Sequence, residues 1–392
     1  MPDIQQQNTS SERLSRLRVY LRQRPVTLAL LTGLAVLFFL FVTGLSRLYR
    51  DQQKSLGNRW FERGMADLKA RRYEAAVRDF RGALLYSRDN YSYQLNLAEA
   101  LLGMKHTGEA SAYFLNLWDR QPEDGLVNLE LARIAAQKGQ IQNAVRYYHD
   151  AVYAVWPSQE EIKRREARLE LIDLLLRSNA KAQAQAELIA LAENVTGDPS
   201  HEQFLGDLFV RAGDYEHALT EYGLSLKADP HNVKALAGEG YAAYELGQYR
   251  AAQHYLHEAV KRDPGDTQSA ERLKVTEMVL RMDPFRRNLS VAERNRLVAE
   301  AFATAGQRLE KCAVPDGDGG NIAGVPSELS SEWSSLKPQI TQRGLQRNPA
   351  VAERAMDMVF RIERQTSNTC GAPTGPDLAL LLISKLHEGN TF

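Results

Sequence analysis

Residues 199–232 read PSHEQFLGDLFVRAGDYEHALTEYGLSLKADPHN, and residues 233–266 read VKALAGEGYAAYELGQYRAAQHYLHEAVKRDPGD. The two stretches have equal length, and the same residue types recur in the same places. The coincident pairs are Gly206/Gly240, Gly213/Gly247, Tyr215/Tyr249, Ala218/Ala252 and Pro230/Pro264. Within residues 213–230 the spacing of apolar residues suits one amphipathic helix, which the Asp-Pro pair ends. The stretch is therefore one unit of an internal repeat.

The same frame fits four more segments of the chain. They are 57–90, 91–124, 125–158 and, after six extra residues at 159–164, a weaker copy at 165–198. We expect small residues such as Gly206 and Ala218 to let two helices approach closely. Bulky residues, namely Phe80, Phe114, Tyr148 and Tyr222, would fill the groove against the next copy, and Tyr215 is predicted to lie in the core. One hairpin cannot bury its own apolar stripe, so six stacked copies are predicted over residues 57–266.

This period resembles the tetratricopeptide repeat family, whose pattern has W at 4, L-G at 7–8, Y at 11, A at 20, F at 24, A at 27 and P at 32. The resemblance covers about half of the chain and implies an all-α solenoid with a concave groove lined by the first helices. The matching groove positions are Asn96, Arg133, Asp173, Arg177, Asp207, Arg211, Tyr241 and Tyr244. Their mixture of Arg, Asp and Tyr suits a partner segment of mixed charge. Each of them could instead be a solvated face residue.

A second feature is the uncharged segment VTLALLTGLAVLFFLFVTGL from Val26 to Leu45. Twenty helical residues span roughly 30 Å, the thickness of the hydrocarbon core of a bilayer. We therefore predict a transmembrane helix at 25–46, behind a basic arm at 1–24, with residues 26–45 in contact with lipid. A cleaved signal peptide usually has a shorter apolar region, and a buried helix of a soluble core is the remaining alternative.

The flanking charges decide the orientation by a small margin. Five basic residues lie on each side of the span within twenty residues, and the nearest ten residues favour the N-terminal side by four to three. The positive-inside rule then places the N-terminus in the cytoplasm and the solenoid outside it, with the inner membrane as the expected location. Leu14, Leu17 and Leu21 fit a short basic amphipathic helix on an anionic leaflet, and a solvated arm fits equally well.

The last third of the chain resembles no family that the sequence brings out. Residues 267–283 are predicted to form a helix that caps the solenoid, followed by a helical module at 284–392 that opens with a Ser290-x-x-Glu293 capping box. Cys312 and Cys370 lie at two predicted helix ends and are the only cysteines. Outside the cytoplasm they would be expected to pair; the alternative is two unrelated buried thiols.

The sequence contains few patterns that indicate nucleic-acid binding, metal binding or catalysis. Its 49 basic and 49 acidic residues balance, which argues against nucleic-acid binding. The loop 316–321 lacks the ligand order of a calcium loop, and His254, His257 and Glu258 lack a fourth metal ligand. No catalytic motif occurs. We predict no catalytic, metal-binding or cofactor-binding residues, no cofactor, and no small-molecule ligand.

These features predict a membrane-anchored scaffold or adaptor that binds a segment of a partner protein in its groove. Bacterial single-pass proteins with such repeats commonly serve cytochrome maturation, envelope assembly or division, and the resemblance does not choose among these. It implies a role in the assembly or quality control of envelope proteins. One alternative is a permanent structural subunit of a membrane complex. Another is an enzyme whose activity lies in 284–392, although that module offers a single histidine, His387.

Overall fold

The structure is a computed structural model that describes residues 8–193, 198–313 and 327–388; the loop 316–321 lies outside these ranges. The described residues form eighteen α-helices and two short 3-10 turns, and they contain no strand. The predicted all-α class is therefore confirmed. The chain divides into two compact units, Met1–Leu174 and Leu175–Phe392, with the division inside the seventh helix.

The first unit holds three helical hairpins and the start of a fourth. Their helices are α1 (Asn8–Lys69), α2 (Tyr73–Tyr86), α3 (Tyr91–Gly103), α4 (Thr107–Arg120), α5 (Gly125–Gln137) and α6 (Ile141–Tyr153), followed by a 3-10 turn (Ser158–Glu160) and α7 (Glu161–Arg177). Each α-helix after α1 is between 13 and 17 residues long, as expected for short hairpin arms.

Helix α1 joins three segments that the sequence treats separately. It runs without interruption through most of the predicted arm, the predicted membrane span and the first helix of the first repeat. The part from Leu28 to Lys69 is long and apolar enough to cross a membrane by length and composition, and none of its apolar window is buried. The segment is therefore not buried against the rest of the described chain, as a core helix would be. No hinge separates it from the first repeat.

The hairpins pack in the way the repeat frame predicts. The side chains of Phe80, Phe114, Tyr148 and Tyr222 are all buried. A Cβ atom added at Gly206 would lie 2.7 Å from the Tyr222 ring, so only glycine allows this approach. Tyr215 departs from the prediction because it is only half-buried. The equivalent Tyr249 is buried because it belongs to the core of the C-terminal helices, a core that does not include Tyr215.

The ends of the helices follow a regular rule. The first helix of a hairpin begins at an Asn or Asp side chain that accepts a hydrogen bond from the helix backbone, as at Asn90, Asp124, Asp198 and Asn232. The second helices α2, α4 and α6 begin without a side-chain cap, as do the later helices Lys181–Ala192 and Tyr249–Arg262. The amide groups at these second-helix starts are consequently available to other acceptors.

The second unit continues the hairpins and then changes character. Its helices after α7 are α8 (Lys181–Ala192), α9 (Pro199–Ala212), α10 (Tyr215–Ala228), α11 (Val233–Glu245), α12 (Tyr249–Arg262), α13 (Thr267–Met282), α14 (Val291–Ala313), α15 (Ser327–Leu336), a 3-10 turn (Lys337–Gln339), α16 (Gln342–Arg347), α17 (Pro349–Thr369) and α18 (Gly375–Leu386). Ser290 caps α14 by accepting a hydrogen bond from the Glu293 amide at 3.1 Å, which is half of the predicted capping box.

One apolar core connects the last repeat to the C-terminal helices. It contains Phe302 of α14, Trp333 of α15, Met356 of α17 and Leu380 of α18, together with Tyr249, Met278 and Val279 of α12 and α13. Cys312 and Cys370 lie at the C-terminal ends of α14 and α17, with their Cα atoms 5.7 Å apart. This is the separation of a disulfide-bonded pair.

Candidate protein-binding groove

The eight predicted groove residues all lie on the first helices of their hairpins. In the first unit these are Asn96 on α3, Arg133 on α5 and Asp173 on α7; in the second they are Arg177 on α7, Asp207 and Arg211 on α9, and Tyr241 and Tyr244 on α11. None of them is fully buried, and Arg177, Asp207 and Arg211 are exposed. The repeat frame thus places each of them on a helix that could line a groove.

Arg133 is the most strongly held of the eight. Its guanidinium contacts Glu170 Oε1 at 2.6 Å and Oε2 at 3.0 Å, and Glu130 Oε1 at 2.6 Å. The Tyr148 hydroxyl donates to the same Glu170 carboxylate at 2.9 Å. The hydrogen bonds to Glu170 raise the pKa of Arg133 further above its ordinary value. Arg133 therefore links α5 to α7 and presents a paired charge.

The acidic residues of this face were not singled out by sequence analysis. Glu99 of α3, Glu130 of α5 and Glu170 of α7 occupy the same two repeat positions as Asn96 and Arg133. Burial raises the pKa of the Glu99 carboxyl to about 6, against the opposing charge of Lys163. A comparison of the residues at each repeat position across all the copies would have identified these glutamates. Carboxylates outnumber guanidinium groups at these positions.

In the second unit, Asp207 has a structural partner. Its Oδ1 accepts a hydrogen bond from the Tyr222 hydroxyl at 2.7 Å, and the Gln203 amide lies 3.3 Å from Oδ2. Burial and this contact raise the pKa of the Tyr222 phenol above its ordinary value. Asp207 thus satisfies the one polar atom of a buried aromatic ring, while its residue as a whole stays exposed.

The two tyrosines of α11 are held between neighbouring helices. The Tyr241 ring meets Tyr215 edge-on with centroids 5.9 Å apart, and the Arg272 guanidinium lies 4.3 Å from the Tyr241 centroid. The Tyr244 ring meets Tyr249 edge-on at 5.9 Å and packs against the core. The capping helix α13 therefore covers part of this end of the face and pre-orients its aromatic rings.

The arrangement supplies groups that can bind a polypeptide. In the first unit, the paired arginine and the partly buried carboxylates can form hydrogen bonds and ion pairs with a bound chain; in the second unit, the oriented tyrosines can stack against one. Among the residues that the structure describes, no group of three or more His, Cys, Asp or Glu side chains could hold a metal ion. Asn96 donates only to its own helix, from Nδ2 to the Ser92 carbonyl at 2.8 Å.

Comparison with known proteins points to the same repeat. A family model described as tetratricopeptide repeat matches residues 209–274. Similar solved structures include YrrB, titled a TPR protein with an unusual peptide-binding site (15% identity, covering 49% of this chain and 95% of that chain, TM-score 0.39).

Two bacterial structures are similar at the same level. The C-terminal part of a TPR repeat-containing protein from Cytophaga hutchinsonii has 11% identity, covers 79% of this chain and 98% of that chain, and gives a TM-score of 0.41. Pseudomonas aeruginosa PilF has 17% identity, covers 57% of this chain and 97% of that chain, and gives a TM-score of 0.37. These low scores carry no functional argument. The family match and the 34-residue frame together support a tetratricopeptide-repeat array and, in general terms, a protein-interaction scaffold.

Proposed function

We propose that this protein is a membrane-anchored scaffold that binds a segment of a partner protein along its first helices. The observation that carries the proposal is the continuity of α1, in which the apolar segment and the first helix of the first repeat form one helix from Asn8 to Lys69. An array joined to a membrane helix in this way stays close to the bilayer. Its effective concentration for a partner at the same membrane is correspondingly raised.

The charges of the first unit favour a particular kind of segment. Glu130 and Glu170 pair with the guanidinium of Arg133, and Glu99 and Asp173 add two more carboxylates at the same repeat positions, so the net charge of these positions is negative. Basic side chains of a partner would contact this face, and apolar or aromatic ones would suit Tyr241 in the second unit. The proposed ligand is thus a segment of mixed character.

We further propose an inner-membrane protein with a cytoplasmic N-terminus and the array outside the cytoplasm, where it serves the assembly or quality control of envelope proteins. The cysteine pair supports this placement, because disulfides persist in oxidising compartments. Cys312 and Cys370 have the Cα separation of such a pair. Reporter fusions to the C-terminus test the orientation: activity of a periplasmic reporter is expected, and activity of a cytoplasmic reporter would refute it.

Site-specific photocrosslinking in intact membranes tests the groove. The crosslinker replaces Asn96 in one unit and Tyr241 in the other; Arg133 is avoided because its replacement breaks the ion pairs to Glu130 and Glu170. Matched controls are Leu115 and Leu224, which are exposed on the second helices α4 and α10. We expect protein adducts from the first-helix positions and few from the controls.

The pattern of adducts separates the alternatives. A set of adducts that exchanges when the partner pool changes supports an adaptor, whereas one stoichiometric adduct that survives detergent purification indicates a permanent structural subunit. Equal crosslinking from all four positions, or from the second helices alone, would show that the first-helix face is not the binding surface.

A further inference from the structure

The turn between the two helices of each hairpin contains one residue with a positive φ angle. In the later repeats this residue is Gly139, Asn179, Gly213 or Gly247, the types that tolerate the left-handed region best. In the first two repeats it is Arg71, with φ of 58°, and Lys105, with φ of 62°. A long basic side chain at this position costs backbone free energy that glycine would avoid. The first two turns therefore keep a positive charge where the backbone favours glycine.

Arg71 stands next to the exposed start of α2. The residue that precedes this helix, Arg72, provides no side-chain cap. In the part of the chain that the structure describes, the backbone amides of Tyr73, Glu74 and Ala75 have no acceptor. Helix starts of this kind carry partial positive charge and free N–H donors.

These groups line an open pocket of about 600 Å³. Its walls are formed by Arg71, Arg72, Tyr73, Glu74, Ala75, Arg78, Met104 and His106. Within the described ranges, neither Arg71 nor Arg78 makes an ion pair or a side-chain hydrogen bond, whereas Arg72 donates to Asp67 at 2.9 Å. Arg72 is paired with Asp67 and Glu74 is the one carboxylate of the lining, so the guanidinium groups of Arg71 and Arg78 leave the lining with a net positive charge.

We propose that this pocket binds a phosphate-bearing ligand. Arginine forks match phosphate oxygens in pairs, and the amides at the start of α2 supply further donors on the same side. The volume exceeds that of one phosphate group and lies in the range of small-ligand sites. The pocket thus has room for a ligand with more than one phosphate group, and Arg71 and Arg78 are the side chains that would bind it.

The position of the pocket argues for a ligand from solution. From Leu45 to Lys69 the helix α1 continues for 24 residues, about 36 Å along its axis. The headgroup region of a bilayer extends less than about 10 Å beyond its hydrocarbon core. The lipids around α1 would thus lie out of reach of Arg71, a step that rests on the proposed membrane placement.

Binding of pyrophosphate to the full-length protein in non-ionic detergent tests the proposal, with calorimetry at constant ionic strength. Wild type is expected to bind saturably. Arg71→Gly and Arg78→Gln should each weaken binding by about tenfold or more, the loss of a charged hydrogen-bonding group. Arg71→Gly should also leave the melting temperature unchanged or raise it, because glycine suits the positive φ. If Arg71 and Arg78 had only a structural role, both variants would bind pyrophosphate as tightly as wild type.

The matched control is Lys105→Gly, which removes one charge at the equivalent turn position but does not line the pocket. It should change affinity by less than about twofold. Equal weakening by Lys105→Gly and Arg71→Gly would overturn the proposal in favour of diffuse charge attraction. The proposal would also be overturned if wild type showed no saturable binding of pyrophosphate, or if a poly-glutamate peptide bound more tightly and displaced pyrophosphate.

Vesicles containing phosphatidylglycerol distinguish the source of the phosphate. Binding of soluble pyrophosphate without Arg71-dependent vesicle binding supports a ligand from solution; vesicle binding with no response to pyrophosphate refutes it. Crosslinking from Asn96 and Tyr241 should be the same in Arg71→Gly as in wild type. The pyrophosphate measurements therefore test the pocket, and the crosslinking tests the partner groove independently.

Discussion

The hairpins α9–α12 and the helices α14–α18 belong to the same unit but are held together differently. In the hairpins, a side chain of a second helix fits against glycine of a first helix, as Tyr222 does against Gly206 and Gly238 and Leu256 does against Gly240. In the C-terminal helices, contacts occur once and join distant segments. Trp333 stacks on Phe302 with centroids 5.5 Å apart, and Cys312 meets Cys370 across 58 residues.

Arg308 shows how far the C-terminal helices depend on single polar groups. Its Nε donates to Thr366 Oγ1 at 2.7 Å and its Nη2 donates to the Gly371 carbonyl at 2.8 Å. The same guanidinium lies 3.5 Å from Glu363 and 3.6 Å from Asp377. One side chain of α14 thus links α17, the following loop and α18.

Glu363 is the unusual member of this cluster. It is fully buried, and among the residues that the structure describes neither of its carboxylate oxygens has a hydrogen-bond partner. Burial, followed by the charge of Asp377, raises the pKa of Glu363 to about 8, while Arg308 opposes the rise. The repeated hairpin contacts therefore depend on the volume and fit of apolar side chains, whereas the unique polar cluster depends on each of its hydrogen-bonding and charged members.

The largest expected effect tests packing in the hairpins. Tyr222→Ala removes a buried ring and leaves a cavity against two glycines, which should lower the free energy of unfolding by about 4 kcal/mol. Tyr222→Phe keeps the ring and loses only the hydrogen bond to Asp207, at a cost of about 1 kcal/mol. Denaturant unfolding followed by circular dichroism measures both. Equal losses would mean that the hydrogen bond, and not packing, dominates this step.

The disulfide tests the long-range connection of the C-terminal helices. Replacing both Cys312 and Cys370 by serine should lower stability by about 3 kcal/mol, because a closed loop of this length restricts the unfolded chain. Hydrogen exchange should localise the loss to α14–α18 and leave α9–α10 protected. Reductant should destabilise wild type and leave the double variant unchanged; two alkylatable thiols in the unreduced protein would disprove the pairing.

The buried carboxyl predicts a particular pH dependence. The folded-state pKa of Glu363 lies above that of an unfolded glutamate, so the folded form binds the proton more tightly. The contribution of this group to stability is therefore present below about pH 4.5 and is lost as pH rises toward 8. Glu363→Gln should raise the free energy of unfolding at pH 8 by about 2 kcal/mol.

The same variant should have little effect at pH 5, where Glu363 is protonated in wild type. Unfolding midpoints at pH 5 and pH 8 measure the difference between the two proteins. A parallel shift at both pH values, or destabilisation at pH 8, would show that Glu363 is ionised and held by Arg308 as a conventional ion pair.

The smallest expected effects concern the buried hydroxyl groups of Ser225 and Thr366. Ser225 of α10 donates to the Pro199 carbonyl at 2.8 Å, but the equivalent positions Ala83, Ala151 and Ala259 of other repeats hold alanine. Ser225→Ala should therefore cost about 1 kcal/mol or less. Thr366→Ala removes the acceptor of the Arg308 Nε and should cost about 2 kcal/mol. Equal costs in thermal unfolding would remove the distinction between repeated and unique contacts.

The groove shows how much of a candidate site a repeat frame predicts. The frame correctly assigned the eight residues to first helices, because position within a hairpin follows from sequence spacing. It could not predict that Arg133 would pair with Glu170, which lies 37 residues away, or that Tyr222 would engage Asp207. Those pairings depend on side-chain reach between neighbouring helices. Whether the eight residues contact a partner stays a prediction.

The sequence by itself determined the all-α class, the hairpin period and the apolar segment, because each depends on spacing within a few dozen residues. Only the tertiary structure decided that α1 continues unbroken into the first repeat, that Arg71 faces an open pocket, and that Glu363 is buried beside Arg308. Burial and charge are set by neighbours far apart in the chain. The roles of residues outside the repeat pattern can therefore be assigned only when those neighbours are known.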